Sequence, residues 1–354
     1  MLSELFSQVT LDLVLQSDTV VFHGNKDSAS PKPLSGKVLL KVLKRTKISS
    51  LKVISKGKTE FSFIGPSTTL HSTADMDRDI YNSGKLQVLN KTEILLNGKK
   101  NQKYLEPGTY EYSFIITLPG DLPESVYSTH GSTEYSVKAV LETSSYLPRI
   151  TKKIPIYLGR IPYSGTRTLM SADGPNEIQK EFAEKLSVKL NISSKYYAEN
   201  QAIDLVADIS LIDQNIKILS IGARMNEKTT IKTFANPDIK KSVIKLIESS
   251  RKYFGTDSKS KVLDSPKLSL ELRLPQAYKD MQHDIENKTF SVSHQVHFDI
   301  NIEVDGTNQN LAVNLPVLVV PNEYFSEMIS LPEYSSKIQF EKDELITPPE
   351  YSEL

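Results

Sequence analysis

Alternation of apolar and polar positions is the dominant signal along this chain. Val9, Leu11, Leu13 and Leu15 share one parity, the period-2 signature of a half-buried strand. Residues 37–44 (KVLLKVLK) form a short apolar run after the turn signal Pro31-Lys-Pro33-Leu-Ser-Gly36. Tyr110, Tyr112, Phe114 and Ile116 alternate with Glu111 and Ser113, and the run stops at Pro119-Gly120. Tyr135, Val137, Ala139 and Leu141 repeat the pattern, as do residues 186–192, 203–212 and 290–304 in the second half. Strands at this spacing, broken by Gly, Pro and Asn turns, predict an all-β protein built from β-sandwiches.

Two stretches depart from the habit. Residues 159–180 hold no sustained period and several Gly and Pro, which predicts a linker between two domains. In residues 237–261, Asn236-Pro237-Asp238 reads as a helix start. Ile239, Val243, Ile244 and Ile247 then recur at helical spacing, predicting a helix-bearing insertion. The expected organisation is a first domain over 1–158, a linker over 159–180, a second domain over 181–322 and a tail over 323–354. The length of 354 residues agrees with two domains. The two halves show no obvious sequence repeat.

Charge sharpens the division. Residues 1–158 carry 20 basic and 15 acidic side chains, 159–322 carry 21 and 20, and 323–354 carry 2 and 8. The last segment therefore reads as an acidic, disorder-prone tail. The whole chain has net charge +0, which argues against a generic nucleic-acid binder. There is no Cys, so a disulfide framework, thiolate zinc sites and a thiol nucleophile are excluded. No basic-then-apolar leader opens the chain, and no apolar run approaches the length of a membrane span. Asn-x-Ser/Thr sequons occur at Asn90, Asn191 and Asn287 and carry little weight without a leader.

Candidate chemistry is sparse. Dinucleotide, P-loop, serine-hydrolase and zincin motifs are all missing, and no cofactor is expected. His294 and His297 have an odd separation, which on a strand places them on opposite faces. His294 shares its parity with Val292, Val296, Phe298 and Ile300, so it is expected in the core, with His297 toward solvent. Asp75, Asp77 and Asp79 have calcium-like spacing but lack the Gly and closing Glu of an EF-hand loop, so they read as a solvated loop. Lys37, Lys41, Lys44, Arg45, Lys47, Lys52, Lys56 and Lys58 concentrate in the first domain, and Lys240, Lys241, Lys245, Arg251 and Lys252 in the insertion. Solvated faces account for them. An anionic-lipid or acidic-peptide surface is the sharper alternative.

The informative motif is in the tail. Leu331-Pro332-Glu333-Tyr334-Ser335 and Pro348-Pro349-Glu350-Tyr351-Ser352 are near-copies of one phrase. The second is a complete Pro-Pro-x-Tyr. Its prolines pre-set a polyproline II conformation, which suits the aromatic groove of a WW domain and a pocket for the Tyr ring. The first copy has Leu331 in place of the outer Pro and is expected to bind more weakly. A flexible linker between Tyr334 and Tyr351 spans roughly 23 Å, enough for two WW domains of one partner to engage together. Ser352-Glu353-Leu354 also fits a PDZ C-terminal ligand, in competition with the overlapping phrase.

Body and tail together resemble the α-arrestin family, the arrestin-related trafficking adaptors. One similar stretch is Leu34-Ser-Gly36-Lys-Val38 followed by residues 48–57 (ISSLKVISKG). Residues 105–141 match best, with Leu105-Glu-Pro-Gly108-Thr-Tyr-Glu-Tyr-Ser-Phe114, Leu118-Pro119, Leu122-Pro123-Glu-Ser125 and Tyr135-Ser-Val-Lys-Ala139. Val292-Ser-His294 and Leu315-Pro316-Val317-Leu318-Val319 resemble strands of the family's second domain. The family's C-terminal PY motifs match Pro348, Pro349 and Tyr351, and in part Pro332 and Tyr334.

The resemblance implies two tandem arrestin-type, immunoglobulin-like β-sandwiches and a non-catalytic adaptor. Such an adaptor recruits a WW-domain HECT ubiquitin ligase to cytosolic segments of transporters or receptors. It would be cytoplasmic, peripheral to the plasma membrane or endosomes, with peripheral membrane contact. The alternative is an arrestin-fold coat or endosomal sorting subunit, as in retromer, whose tail motif is incidental. An enzyme on a β-sandwich is disfavoured because no convergent set of acids, bases or nucleophiles is visible.

Overall fold

The computed structural model describes residues 9–65, 80–97, 103–143, 149–161, 176–182, 186–211, 216–254, 267–276 and 280–322. The first half runs β1 (Val9–Leu15), β2 (Thr19–His23), β3 (Lys32–Val42), β4 (Thr46–Ile48), β5 (Ser50–Gly65), β6 (Ile80–Asn97), β7 (Lys103–Leu105), β8 (Gly108–Leu118), β9 (Val126–Ser128), β10 (Gly131–Glu142) and β11 (Ile150–Ile161). The second half runs β12 (Asn176–Phe182), β13 (Leu186–Ile192), β14 (Tyr196–Tyr197), β15 (Ala202–Leu211), β16 (Ile216–Lys232), β17 (Lys240–Tyr253), β18 (Lys267–Arg273), β19 (Ile285–Glu286), β20 (Phe290–Val304) and β21 (Thr307–Val319).

Each half is a sandwich of two sheets. In the first, β1-β3-β8 faces β2-β11-β10-β5-β6, with β9 paired to β10. In the second, β12-β13-β15-β18 faces β14-β21-β20-β16-β17, with β19 paired to β20. Period-2 alternation makes each sheet amphipathic, and the apolar faces close on each other. Val38, Leu40, Leu51, Val53, Val137, Ala139, Ile156 and Leu158 fill the first core. Leu186, Val188, Leu190, Leu205, Ile221, Val296 and Phe298 fill the second. Each such Val, Leu, Ile or Phe side chain, fully buried, contributes about 1.5–3 kcal/mol over its exposed state.

Tyr135 crosses Gly57 on the neighbouring strand. A Cβ at Gly57 would come within 2.3 Å of the Tyr135 ring, so glycine is required for the aromatic to lie flat there. Asp305 and Gly306 close the β20–β21 hairpin with φ of 51° and 77°, the left-handed pair that a two-residue primed turn needs.

The expected helix over 237–261 is absent from its described part. Residues 240–253 form β17, the strand next to β16 at the edge of its sheet. Asn236-Pro237-Asp238 makes a turn rather than a cap, with the Asp238 amide donating to Asn236 Oδ1 at 2.9 Å. A helix of that length alone is marginal, whereas the strand gains a full ladder along β16, and β-branched Val243, Ile244 and Ile247 favour it. The linker is also shorter than 159–180. Residues 159–161 complete β11, and 176–180 belong to β12, which pairs with β13. Residues 162–175 between them, Asp75, Asp77 and Asp79, and the tail motifs all lie outside the described residues.

Candidate functional site

A buried polar network lies at the junction of the two sandwiches. An apolar seam forms its base. Phe61 and Phe63 at the end of β5, with Val126 on β9, pack against Ile231, Ile239, Ile285, Phe290 and Val292 of the second domain. Phe234 meets Phe61 edge-on, with ring centroids 4.8 Å apart. Glycine again permits the approach, since a Cβ at Gly131 would lie 3.1 Å from the Phe290 ring.

Above the seam, Arg160 near the end of β11 organises the first domain's side. Its Nε donates to Glu124 Oε1 at 2.9 Å, Nη1 to the Gly24 carbonyl at 3.1 Å, and Nη2 to the Gly120 and Leu122 carbonyls at 2.8 Å each. The guanidinium also lies over the Phe22 ring. The Arg160 and Glu124 side chains are both buried, and their one contact is a charge-assisted hydrogen bond. The other Glu124 oxygen accepts from Asn287 Nδ2 of the second domain at 3.0 Å. One carboxylate thus joins both sandwiches.

The second domain answers with a strap just before β19. Met281 and Ile285 anchor it by burial, and the polar residues between them alternate sides. Gln282 Oε1 accepts the Tyr127 amide of the first domain at 2.7 Å. Tyr157 and His283 Nδ1 share a hydrogen bond of 2.7 Å, and His283 Nε2 bonds to Glu199. A neutral His283 therefore carries its proton on Nε2 and accepts the Tyr157 hydroxyl at Nδ1. Asp284 turns back into its own domain. Its amide donates to the Val319 carbonyl, while its Oδ2 accepts the Val319 amide and bonds to His294 Nδ1, at 2.8, 2.7 and 2.7 Å.

Behind the strap, Glu227 accepts the Gln282 amide at 2.7 Å and lies 3.4 Å from His294 Nε2. Burial pushes the His294 imidazole down. The hydrogen bonds and charges of Asp284 and Glu227 outweigh burial and raise it to about 9. Burial pushes the Glu227 carboxyl up, but His294 and the Gln282 amide hold it below its ordinary range. Glu199 behaves likewise, with burial opposed and overcome by His283.

His294 lies in the core, 2% exposed, and His297 on the opposite face bonds to Asn314 Oδ1 at 2.6 Å. Both follow the strand parity. The junction residues Glu124, Arg160, Glu199, Gln282 and His283 were not singled out by sequence reasoning. A usable signal existed: polar Gln282-His283-Asp284 sits between apolar Met281 and Ile285 without a period, as Glu124-Ser125 sits after Leu122-Pro123. Among the described residues no group of three or more His, Asp or Glu is placed to hold a metal ion, and no helix is long and apolar enough to cross a membrane. The junction's side chains are engaged with one another. The arrangement clamps two sandwiches rather than presenting an acid, base or nucleophile to a substrate.

A two-domain, strand-built scaffold with a locked junction is thus the class of protein defined. The model of the arrestin (or S-antigen) N-terminal domain matches residues 11–156, and that of the arrestin C-terminal domain matches residues 183–324. The chain belongs to the arrestin family and carries its two domains in tandem.

Fungal relatives share the body at low identity. An arrestin domain-containing protein of Schizosaccharomyces pombe is 23% identical over 328 residues, 91% of this chain and 53% of the relative. The HECT-type ubiquitin ligase-interacting protein apyA of Emericella nidulans is 24% identical over 335 residues, 90% of this chain and 88% of the relative. A second protein of that organism, the HECT-type ubiquitin ligase-interacting protein creD, is 23% identical over 321 residues, 87% of this chain and 52% of the relative. The chain thus spans about half the length of two of these relatives.

Proposed function

We propose that this protein is a non-catalytic adaptor that brings a WW-domain HECT ubiquitin ligase to membrane-protein cargo, promoting ubiquitination, endocytosis and sorting. The carrying observation is the Pro348-Pro349-Glu350-Tyr351 phrase placed beyond a tandem arrestin body. Relatives named for interacting with HECT-type ubiquitin ligases support it. In this reading Pro348, Pro349 and Tyr351 hold the ligase, and Leu331, Pro332 and Tyr334 form a weaker second contact. The sandwiches bind cytosolic segments of transporters or receptors, and the protein works in the cytoplasm at the plasma membrane or endosomes. No chemistry is asked of the body. Tethering raises the ligase's local concentration around cargo lysines.

Calorimetric titration of a WW-domain array with the full-length protein tests this. The expected affinity is in the micromolar range, about −8 kcal/mol. Tyr351→Ala abolishes most of it, and adding Tyr334→Ala removes the remainder. Unchanged binding in the double variant would reject the motif assignment. No binding by either protein or tail peptide would move a coat or sorting subunit with an incidental tail phrase to first place.

A further inference from the structure

An edge strand presents unpaired amides and carbonyls to any other strand, and proteins blunt such edges with charge, shortness, irregularity or cover. Most sheet edges of the two sandwiches are blunted in these ways. β2 and β14 are short. β1 is tied to β11 by Asp12 and Lys152 at 3.1 Å. β6 carries Lys85, Lys91 and Glu93 and shifts register along β5. β12 and β18 are short and dense in charge. β17 turns Lys245 and Lys252 onto the Asp280 and Ser269 carbonyls. β8 differs. It runs for 11 residues, GTYEYSFIITL, and Glu111 is its one charged side chain.

β8 pairs with β3 and with no other described strand. The phase of that ladder follows from Ser35, whose carbonyl accepts the Gln16 amide just past β1. Hydrogen-bonding groups alternate sides along a strand. Ser35, Lys37 and Leu39 therefore bond toward β1, while Gly36, Val38 and Leu40 bond toward Phe114, Tyr112 and Tyr110 of β8. The amides and carbonyls of Thr109, Glu111, Ser113 and Ile115 face away from β3. Lys91 agrees with this phase: it donates to the Thr117 carbonyl at 2.6 Å and closes that end of the edge. On the outer face Ile115 is 65% exposed. On the inner face Tyr110 and Tyr112 are half-buried at the rim of the first core, beside buried Phe114.

We propose that β8 pairs antiparallel with β8 of a second copy of this chain, about a two-fold axis at Tyr112. In this register the edge-facing groups meet each other, Glu111 opposite Ser113 of the second copy and Thr109 opposite Ile115. Tyr112 stands opposite itself and Tyr110 opposite Phe114. These are the pairs without hydrogen bonds, in which side chains come closest, so the two rims join into one aromatic seam. The charges also match. Lys37 holds Glu111 at 2.7 Å and is level with Ser113 on the next strand in. It is therefore level with Glu111 of the second copy, and each of the two facing carboxylates lies between two lysines. The ladder ends at Ile116, short of the carbonyl that Lys91 occupies. Each copy carries one complete Pro-Pro-x-Tyr phrase, so the pair offers two to an array of WW domains. That consequence rests on the ligase reading; the pairing does not.

Sedimentation equilibrium of the full chain should give the mass of two copies at about 100 μM protein and of one copy on dilution. Ser113→Pro removes an edge-facing N–H, which an edge strand tolerates, and Ile115→Lys puts a cation on the exposed outer row. Both variants should sediment as single copies with the parent's circular dichroism spectrum. Because the chain has no Cys, single cysteines test the register. Tyr112→Cys should oxidise to a covalent dimer, whereas Ile115→Cys, about 20 Å from its mate, should not. A parent chain of single-copy mass at the highest concentration would overturn the proposal, as would a pair that survives both edge substitutions. Crosslinking through Ile115→Cys and not through Tyr112→Cys would reject the register. A single-copy chain whose β8 amides gain protection from exchange only with an added peptide of residues 108–116 would also sink it, and would assign the edge to a strand from another protein. No WW domain enters these measurements, so they succeed or fail apart from the adaptor reading.

Discussion

The larger sheets of the two sandwiches have one strand order and fill the same crossing with different chemistry. In each, a strand of the larger sheet runs parallel to the last strand of its domain, β2 with β11 and β14 with β21. In each, a short strand, β9 or β19, pairs with the next long one. Ser125 just before β9 takes the Leu158 amide on its hydroxyl, and Asp284 just before β19 takes the Val319 amide on its carboxylate. Two residues along from matching pairs, the first domain sets Tyr135 opposite Gly57 and the second sets His294 opposite Glu227. A neutral ring packed on a missing side chain does in one domain what a buried ion pair does in the other. The topology tolerates either, but their responses to truncation and to pH differ.

Breaking the charged version has the largest expected effect. Glu227→Ala removes a carboxylate that satisfies the Gln282 amide and faces a buried cationic imidazole. Removing one partner of a buried pair costs about 3–5 kcal/mol. Denaturant unfolding should show a loss of that size. Because Gln282 also holds Tyr127 across the junction, limited proteolysis should open the 162–175 connection faster in the variant. A loss below 1 kcal/mol would show that His294 adjusts by giving up its proton.

The pH profile comes next. His294 is raised from 6.5 to about 9, so its contribution is full below pH 6.5 and is lost as pH rises through 9. Linkage puts that contribution at roughly 3 kcal/mol. Glu227 is lowered from 4.5, so its share is present above that value and is lost as pH falls through its depressed pKa. Stability in the second domain should therefore peak between about pH 5 and 6.5 and decline toward pH 9. His294→Gln should flatten the alkaline limb. The same decline in that variant would place its origin elsewhere.

Legibility followed burial. β1, β8, β10, β13 and β20 each bury one face, so their apolar residues must alternate, and the sequence shows it. β17 is only partly covered: Ile247 packs against the second core, while Ile244 is 68% exposed and Leu246 55%. With so little core contact to impose period 2, its apolar residues matched a helical template equally well. The edge strand β6 buries Leu89 in the first core but exposes Leu86 and Ile94, and the register shifts in its pairing with β5 break the period, so it is silent too. The junction was less legible still. Its determinants are side-chain bonds between segments as far apart as Glu124 and Asn287, and no local period encodes such a distance. His294 was legible as buried, through parity, but its partner Glu227 was not, because the register of β16 on β20 pairs them only in three dimensions.

A smaller effect is expected from crowding the neutral version. Gly57→Ala places a methyl where the Tyr135 ring already lies, and the ring must move. Overpacking of this kind costs about 1–3 kcal/mol. Combining it with Tyr135→Ala should recover part of that loss, since the clash is then gone; strict additivity would mean that the two residues do not share the space.

The smallest effect separates packing from polarity at that crossing. Tyr135 donates its hydroxyl to the Pro123 carbonyl at 2.7 Å, and burial raises the phenol well above its ordinary range. Tyr135→Phe keeps the ring on Gly57 and leaves one carbonyl without its donor. The expected cost is about 1 kcal/mol, the net worth of a neutral hydrogen bond. Because the phenol does not titrate below its raised pKa, the cost should be the same at pH 6 and pH 9. That constancy is the counterpart of the His294 profile. If Tyr135→Phe instead altered the slope between those values, the proton-linked group would belong to the first sandwich, and the contrast between the two crossings would fail.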